Sequence, residues 1–216
     1  MNQMRHPDSG WLLDYACGHL SAAFDIVIAT HLLGCALCRA DLRLAERLAA
    51  DVMLNAGALA PQLVVDDILS NTRSTPDMPG WRPSGSVTNA PDLSAVASNY
   101  LSLGEPALRW RGVGGGVAVA KLRSGEGDRL WLLRARPGAV LPRHSHSGSE
   151  LTVVLQGAYV IDEQVFGVGS LEDADEDITH QPIVTTRGEC LCLAATTGPL
   201  KFAGWAARLA QRYLGI

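Results

Sequence analysis

The stretch that decides the fold of the second half of this chain is 138–157, GAVLPRHSHSGSELTVVLQG. It carries His144 and His146 with one residue between them, and Glu150 follows after a short turn-like run. Side chains two positions apart on a β-strand point to the same side, so both imidazoles face the same interior. Imidazoles and carboxylates together bind divalent metals such as zinc, iron, nickel and manganese. The stretch therefore predicts a metal site inside a β-domain.

The spacing in this stretch, G-x5-H-x-H-x3-E-x6-G, resembles the first sequence motif of the cupins at every fixed position. The resemblance implies a cupin barrel, and His180, which follows Gly169 by eleven positions, sits where the second cupin motif has its histidine. The implied ligands are therefore His144, His146, Glu150 and His180, around a divalent metal for which zinc is the first candidate. The alternative is a metal-free jelly roll with surface histidines.

Short strand-like runs surround this stretch and predict an antiparallel all-β domain over residues 96–216. They are VAVAKL, RLWLLRA, LTVVLQGAYVI, PIVTT and CLCLAAT, and the final KFAGWAARLAQRYLGI is open between a strand and a short helix. Residues 72–95 are rich in Pro, Gly, Ser and Thr and show no periodicity, which is typical of a linker.

Residues 1–71 predict a helical domain, which makes the whole chain an α+β protein with two domains. Ser9 and Ser21 are expected N-caps of the first two helices, and a third helix is expected from about Ala36 to Ala56. Pro61 begins a short amphipathic fourth segment.

The helical half contains the pattern H-x3-C-x2-C, formed by His31, Cys35 and Cys38. Residues four and seven positions apart return to one face of a helix, and zinc takes nitrogen and sulfur ligands at tetrahedral corners. The pattern predicts a zinc site, with the fourth ligand open among His6, Cys17 and His19. The competing interpretation is that the cysteines are ordinary core residues, as free cysteines often are.

This pattern in a short helical domain, followed by a cupin, resembles the ChrR-type zinc-binding anti-sigma factors. The resemblance implies that His6 is the fourth zinc ligand. It also implies a one-to-one complex with a group IV extracytoplasmic-function sigma factor. Contacts with that factor are expected from the segment around residues 63–69, with Val64, Val65, Ile68 and Leu69 as candidate sigma-binding residues.

The resemblance further implies release of the sigma factor in response to singlet oxygen or organic hydroperoxides. Cys190 and Cys192 are possible redox residues, because they stand two positions apart on a predicted strand and so point to the same side, and because members of this family carry such a pair. Their alternative role is that of small hydrophobic residues in the barrel. The acidic run at residues 172–177 is expected to form a solvated turn.

Composition limits the other functions. The net charge of −4 and the isoelectric point near 5.8 argue against direct binding of nucleic acid or an anionic membrane, and hence against a DNA-binding repressor. There is no apolar run of membrane-spanning length, and five cysteines are an odd number for a disulfide framework, so a cytoplasmic protein is expected. No enzymatic activity is expected. The alternative is a dioxygenase-like cupin enzyme with an accessory helical domain.

Overall fold

The first half of the protein is helical in the computed structural model, which describes residues 4–56, 108–122 and 128–202. The helices are α1 (Ser9–Ala16), α2 (Ala22–Gly34) and α3 (Ala36–Ala56). The predicted bounds of α3 are confirmed. The expected helix from Pro61, the linker at residues 72–95 and the sigma-binding candidates Val64, Val65, Ile68 and Leu69 all lie outside the described residues.

The N-cap of the first helix lies one residue earlier than predicted. Asp8, not Ser9, is the N-cap of α1, and its carboxylate accepts a hydrogen bond of 2.8 Å from the backbone N–H of Gly10. A carboxylate is also the better partner for the partial positive charge of a helix N-terminus. Ser21 is the N-cap of α2 as predicted, although its hydroxyl makes no capping hydrogen bond.

The second half is built from short antiparallel strands. They are β1 (Arg111–Gly114), β2 (Val117–Leu122), β3 (Arg129–Ala135), β4 (His144–Ser145), β5 (Glu150–Gln156), β6 (Ala158–Ile161), β7 (Gln164–Gly167), β8 (Leu171–Ala174), β9 (Thr179–His180), β10 (Ile183–Val184), β11 (Cys190–Thr196) and β12 (Lys201–Phe202). They form a six-stranded sheet in the order β1-β2-β3-β11-β5-β8 and two three-stranded sheets, β10-β6-β7 and β12-β4-β9.

Most of the predicted strands are confirmed, and the run at residues 151–161 contains two of them. Gly157 separates β5 from β6 with a φ of +72°, and a Cβ at this position would collide with the carbonyl of Glu189. The described strands form three separate sheets and not one closed hydrogen-bonded barrel. The β-rich domain is cupin-like, and its sheet arrangement is consistent with a jelly roll.

The six-stranded sheet is buried on both faces, which explains why β11 is apolar at nearly every position. One face packs against the helices, where Leu151 and Leu193 join the same hydrophobic cluster as Val27 and Ile28 of α2. The other face lies inside the β-domain and carries Cys192 and Val154, which pair across β11 and β5. The helical half therefore covers one side of the sheet.

Among the described segments, no helix has both the length and the apolar character needed to cross a membrane.

Candidate metal centres

The first group of possible ligands gathers where α2 meets α3. His31 lies in the last turn of α2, Cys35 is the residue between the two helices, and Cys38 lies in the first turn of α3. His6 joins them from the segment before α1. One ligand atom from each of the four residues lies within 4.8 Å of all the others. The pattern therefore spans a helix junction and not one continuous helix, because Cys35 adopts an extended backbone with ψ near 105°.

The distances within this group match a tetrahedral zinc site. The Nδ1 atom of His6 lies 3.4 Å from the Sγ atom of Cys35 and 3.3 Å from that of Cys38. The Nε2 atom of His31 lies 3.2 Å from the Cys38 sulfur. Zinc with bond lengths of about 2.0 to 2.3 Å places tetrahedral ligands about 3.3 to 3.8 Å apart.

The surroundings of these side chains also suit a cation. His31 is fully buried, and its other nitrogen, Nδ1, lies 2.8 Å from the carbonyl oxygen of Gly169, which orients Nε2 toward the sulfurs. Burial, together with the neighbouring Cys35 thiol and Asp41 carboxylate, raises the pKa of the Cys38 thiol to about 12. A metal ion that replaces the thiol proton would relieve this cost of burying a thiolate.

The other two sequence candidates for the fourth ligand lie elsewhere. Cys17 is exposed at the C-terminal end of α1. His19 is also exposed, and its Nδ1 lies 3.9 Å from a carboxylate oxygen of Asp14. The structure brings His6 into the group and leaves both of these residues out of it.

The second group lies inside the β-domain and contains all four residues of the cupin-like motifs. His144 on β4 pairs in register with His180 on β9, and His146 and Glu150 flank the turn that leads into β5. All four are buried, and their ligand atoms lie within 4.8 Å of one another.

Each of the three imidazoles directs the same nitrogen away from the centre of this group. Nδ1 of His144 lies 2.8 Å from the carbonyl oxygen of Pro142, and Nδ1 of His146 lies 3.2 Å from that of Asp175. Nδ1 of His180 lies 2.6 Å from Oε1 of Glu172. The Nε2 atoms of His144 and His180 lie 3.0 Å apart. Second-shell oxygens on Nδ1 with Nε2 left for the centre are what metal-ligating histidines usually show.

Three polar atoms of this group are buried without a hydrogen-bond partner of good geometry among the described residues. Two of them, Nε2 of His146 and Oε2 of Glu150, lie 3.5 Å apart, and the third, Nδ1 of His180, lies in an ion-pair contact with Glu172. Burial and then the nearby Glu172 raise the pKa of Glu150 to about 7, while burial and the neighbouring His180 lower the pKa of His144 to about 4. Unpaired buried polar atoms cost free energy. A divalent cation between His146 and Glu150 would remove that cost for their two atoms.

Glu172 is the residue of this site that the sequence did not reveal. The acidic run at residues 172–177 was expected to be a solvated turn, but its first three residues lie on β8 and Glu172 is only 8% exposed. Besides His180, its carboxylate contacts the hydroxyl of Tyr159 at 2.5 Å. Only the pairing of β8 with β5 decides this burial, since the charges alone predict a solvated surface.

A cavity of about 240 Å³ opens beside the second group. His144, Glu150 and His180 lie on its wall, and apolar side chains such as Val119 and Leu133 supply most of the rest. Cys190 and Cys192 also line it, with their sulfur atoms 3.6 Å apart. As predicted, the two cysteines point to the same side of β11.

Comparison with known proteins gives the relationship of the whole chain. Residues 104–201 match the family model of the ChrR cupin-like domain. All 216 residues align, at 34% identity, with the full length of the anti-sigma-E factor ChrR of Cereibacter sphaeroides. The chain belongs to the ChrR family of anti-sigma factors. This confirms the resemblance on which the function was predicted, for the helical half and the cupin-like half together.

A solved structure supports the same relationship to ChrR. The crystal structure of Rhodobacter sphaeroides SigE in complex with the anti-sigma factor ChrR superimposes with a TM-score of 0.68 and 35% identity, over 89% of this chain and 98% of that one. The ChrR family consists of regulatory proteins, which argues against the dioxygenase-like alternative.

Proposed function

We propose that this protein is an anti-sigma factor that sequesters a group IV extracytoplasmic-function sigma factor in a one-to-one complex. The full-length relationship to ChrR, a protein crystallised in complex with SigE, is the observation that carries this proposal. We further propose the boundaries of the parts: a helical domain at residues 1–71, a linker at 72–95 and a cupin domain at 96–216, whose jelly roll encloses the second ligand group.

In this proposal zinc is the element that makes the helical domain a stable clamp. His6, His31, Cys35 and Cys38 would hold it, as the donor set and the tetrahedral distances support. A small domain gains much of its stability from such a site. The second group would hold a divalent metal, with zinc as the first candidate and His144, His146, Glu150 and His180 as ligands.

Helix α3 offers a surface for the sigma factor. Leu37, Leu44 and Leu48 lie on one stripe of the helix, since positions 7 and 11 residues apart differ by about 40° or less around its axis. Their side chains are 67%, 51% and 55% exposed. Several exposed leucines on one helix face are typical of a surface that a partner covers.

The test of this surface uses matched substitutions of exposed leucines. Leu44→Asp and Leu48→Asp should each weaken binding of the sigma factor at least tenfold, because changes at the core of an interface can cost about 2 kcal/mol or more and about 1.4 kcal/mol is a factor of ten. Leu13→Asp changes an exposed leucine on α1, outside this stripe, and should bind normally. Titration calorimetry with candidate sigma factors measures all three. Normal binding by both α3 variants would remove α3 from the interface.

We also propose that the cupin domain senses oxidative stress, through singlet oxygen or an organic hydroperoxide. The apolar cavity supports this idea, because it gives a small uncharged oxidant access to buried metal-ligating residues and to the thiols of Cys190 and Cys192. Oxidation of a ligand or a thiol would then be coupled to loss of the clamp.

Release of the sigma factor from the purified complex tests the sensing role. His146→Ala should bind the sigma factor normally but fail to release it when an organic hydroperoxide is added. Replacement of both Cys190 and Cys192 by serine separates a thiol mechanism from a metal-ligand mechanism. Unchanged release by the His146 variant would contradict the proposed cupin sensor.

A further inference from the structure

The segment 169–175 of the β-domain contacts both candidate metal centres. Its sequence is GSLEDAD, and most of it forms β8. We call it the bridging segment. It has no ligand of its own in either group.

On one side, the bridging segment holds the helical domain. The carbonyl oxygen of Gly169 lies 2.8 Å from Nδ1 of His31, the fully buried ligand at the end of α2. The backbone N–H of Leu171 donates to the carbonyl of Arg5 at 3.1 Å, and the N–H of Arg5 lies 3.3 Å from the Ser170 hydroxyl. These bonds attach the residue just before His6 to the bridging segment. Two of the four ligands of the helical group are therefore positioned by the cupin-like half.

A third contact on this side involves a side chain of α1. The indole N–H of Trp11 donates a hydrogen bond of 2.8 Å to the carboxylate of Asp173. The Trp11 ring is stacked on Phe24 of α2, with ring centroids 5.0 Å apart. The contact thus connects the bridging segment with two of the three described helices.

On the other side, the bridging segment positions two ligands of the cupin group. Glu172 lies 2.6 Å from Nδ1 of His180, and the carbonyl oxygen of Asp175 lies 3.2 Å from Nδ1 of His146. β8 also pairs with β5, and in this register Ala174 of the bridging segment lies opposite the ligand Glu150. A metal bound by these residues would fix the position of β8 from this side.

We propose that the bridging segment couples the two centres, so that metal bound in the cupin strengthens metal binding by His6, His31, Cys35 and Cys38. The physical reason is that second-shell groups orient first-shell ligands, and their loss typically weakens metal affinity about 10- to 100-fold. Here one seven-residue segment supplies second-shell groups to both sites, Gly169 to the helical group and Glu172 and Asp175 to the cupin group. This inference rests on the metal binding proposed above, and it is independent of which sigma factor is bound.

The coupling has a direct spectroscopic test in the full-length protein, in which excess Mn²⁺ fills the cupin site and cobalt is then titrated into the thiolate site. Thiolate-bound cobalt has a sulfur-to-metal charge-transfer band that a site of histidines and glutamate lacks, so titration at that band follows the helical site alone. Glu150→Gln removes a cupin ligand at almost unchanged volume. Glu172→Gln leaves all four cupin ligands in place but alters the link between His180 and the bridging segment. Both should weaken cobalt binding at the thiolate site about tenfold.

Glu163→Gln is the matched control, because it makes the same chemical change at an exposed residue between β6 and β7 that belongs to neither centre. It should leave the thiolate band titration unchanged. If Glu150→Gln empties the cupin, as metal analysis would show, and the thiolate-site affinity stays within twofold of the unaltered protein, the coupling is wrong. A protein without any thiolate band would instead contradict the proposed zinc site.

A second measurement needs no variant. Coupling between two sites is reciprocal, so one equivalent of zinc, which prefers the thiolate site, should tighten Mn²⁺ binding in the cupin about tenfold relative to the metal-free protein. Electron paramagnetic resonance of free Mn²⁺ gives that affinity. An affinity unchanged by zinc would also overturn the proposal.

Discussion

The two ligand groups differ in what surrounds them. The helical group has two thiols and two imidazoles and lies in a small domain whose described core contains few large side chains, such as Phe24, Val27 and Ile28. The cupin group has three imidazoles and a carboxylate and lies within three sheets that already bury an extensive core. If both groups bind the metals proposed for them, metal would hold the helical fold together, whereas the cupin fold would hold its metal in place.

The largest expected effect is the loss of the helical fold when its zinc ligands are changed. Cys38→Ala removes a ligand from the helical group and should abolish zinc binding there, together with the helical fold and sigma-factor binding. Structural zinc sites contribute about 10 to 16 kcal/mol of apparent binding free energy. Zinc analysis and far-ultraviolet circular dichroism measure the loss. Cys17→Ala, at an exposed cysteine outside the group, is the control and should change neither. Full zinc and sigma binding by the Cys38 variant would disprove the clamp.

The next effect concerns the core that the two halves share. Leu193→Ala removes a side chain that is 2% exposed at the contact between the six-stranded sheet and the helices. It should lower the free energy of unfolding by about 2 to 5 kcal/mol. Urea denaturation gives the value. Ile183→Ala, at a 45% exposed residue, should cost less than about 0.5 kcal/mol. Equal effects of the two substitutions would show that this contact contributes little to stability.

Substitution of a cupin ligand should affect folding less than substitution of a ligand of the helical group. His146→Ala should weaken metal binding in the cupin at least about 100-fold. The strands should remain, because the sheets do not depend on the metal for their core, and the helical group should keep its zinc although it binds the ion about tenfold more weakly. Metal analysis should then fall from two equivalents to one with an unchanged circular dichroism spectrum. An unfolded cupin would mean that this domain, too, needs its metal to fold.

The smallest effect tests one hydrogen bond between the halves. Trp11→Phe keeps a ring that can stack on Phe24 but removes the donor to Asp173. The expected loss is about 0.5 to 1.5 kcal/mol in the free energy of unfolding. Burial raises the pKa of Asp173, and the Trp11 hydrogen bond opposes that rise, so the pKa of Asp173 should be higher in the variant. Carboxyl titration by nuclear magnetic resonance measures the change. An unaltered pKa would show that the bond does not form in solution.

The sequence alone determined much of the fold. The spacing of His144, His146 and Glu150 identified the cupin-like half, and the runs of β2, β3 and β11 were predicted at their observed bounds. These features are local, since a strand period or a ligand spacing is written within one short stretch of chain. The helical pattern of His31, Cys35 and Cys38 is local for the same reason. The prediction of Ser9 as a cap failed by one residue because Asp8 competes for the same backbone N–H groups.

Only the tertiary structure decided how the two halves meet. The carbonyl of Gly169 lies 138 positions after His31 in the sequence, and no periodicity or motif relates the two residues. The prediction for Glu172 was wrong for the same reason. Its charged neighbours in the sequence indicate a solvated position, but the pairing of β8 with β5 buries its carboxylate. A hydrogen bond to a ligand depends on where distant backbone lies after folding. The sequence therefore determined the first-shell candidates, and the fold determined the groups that orient them.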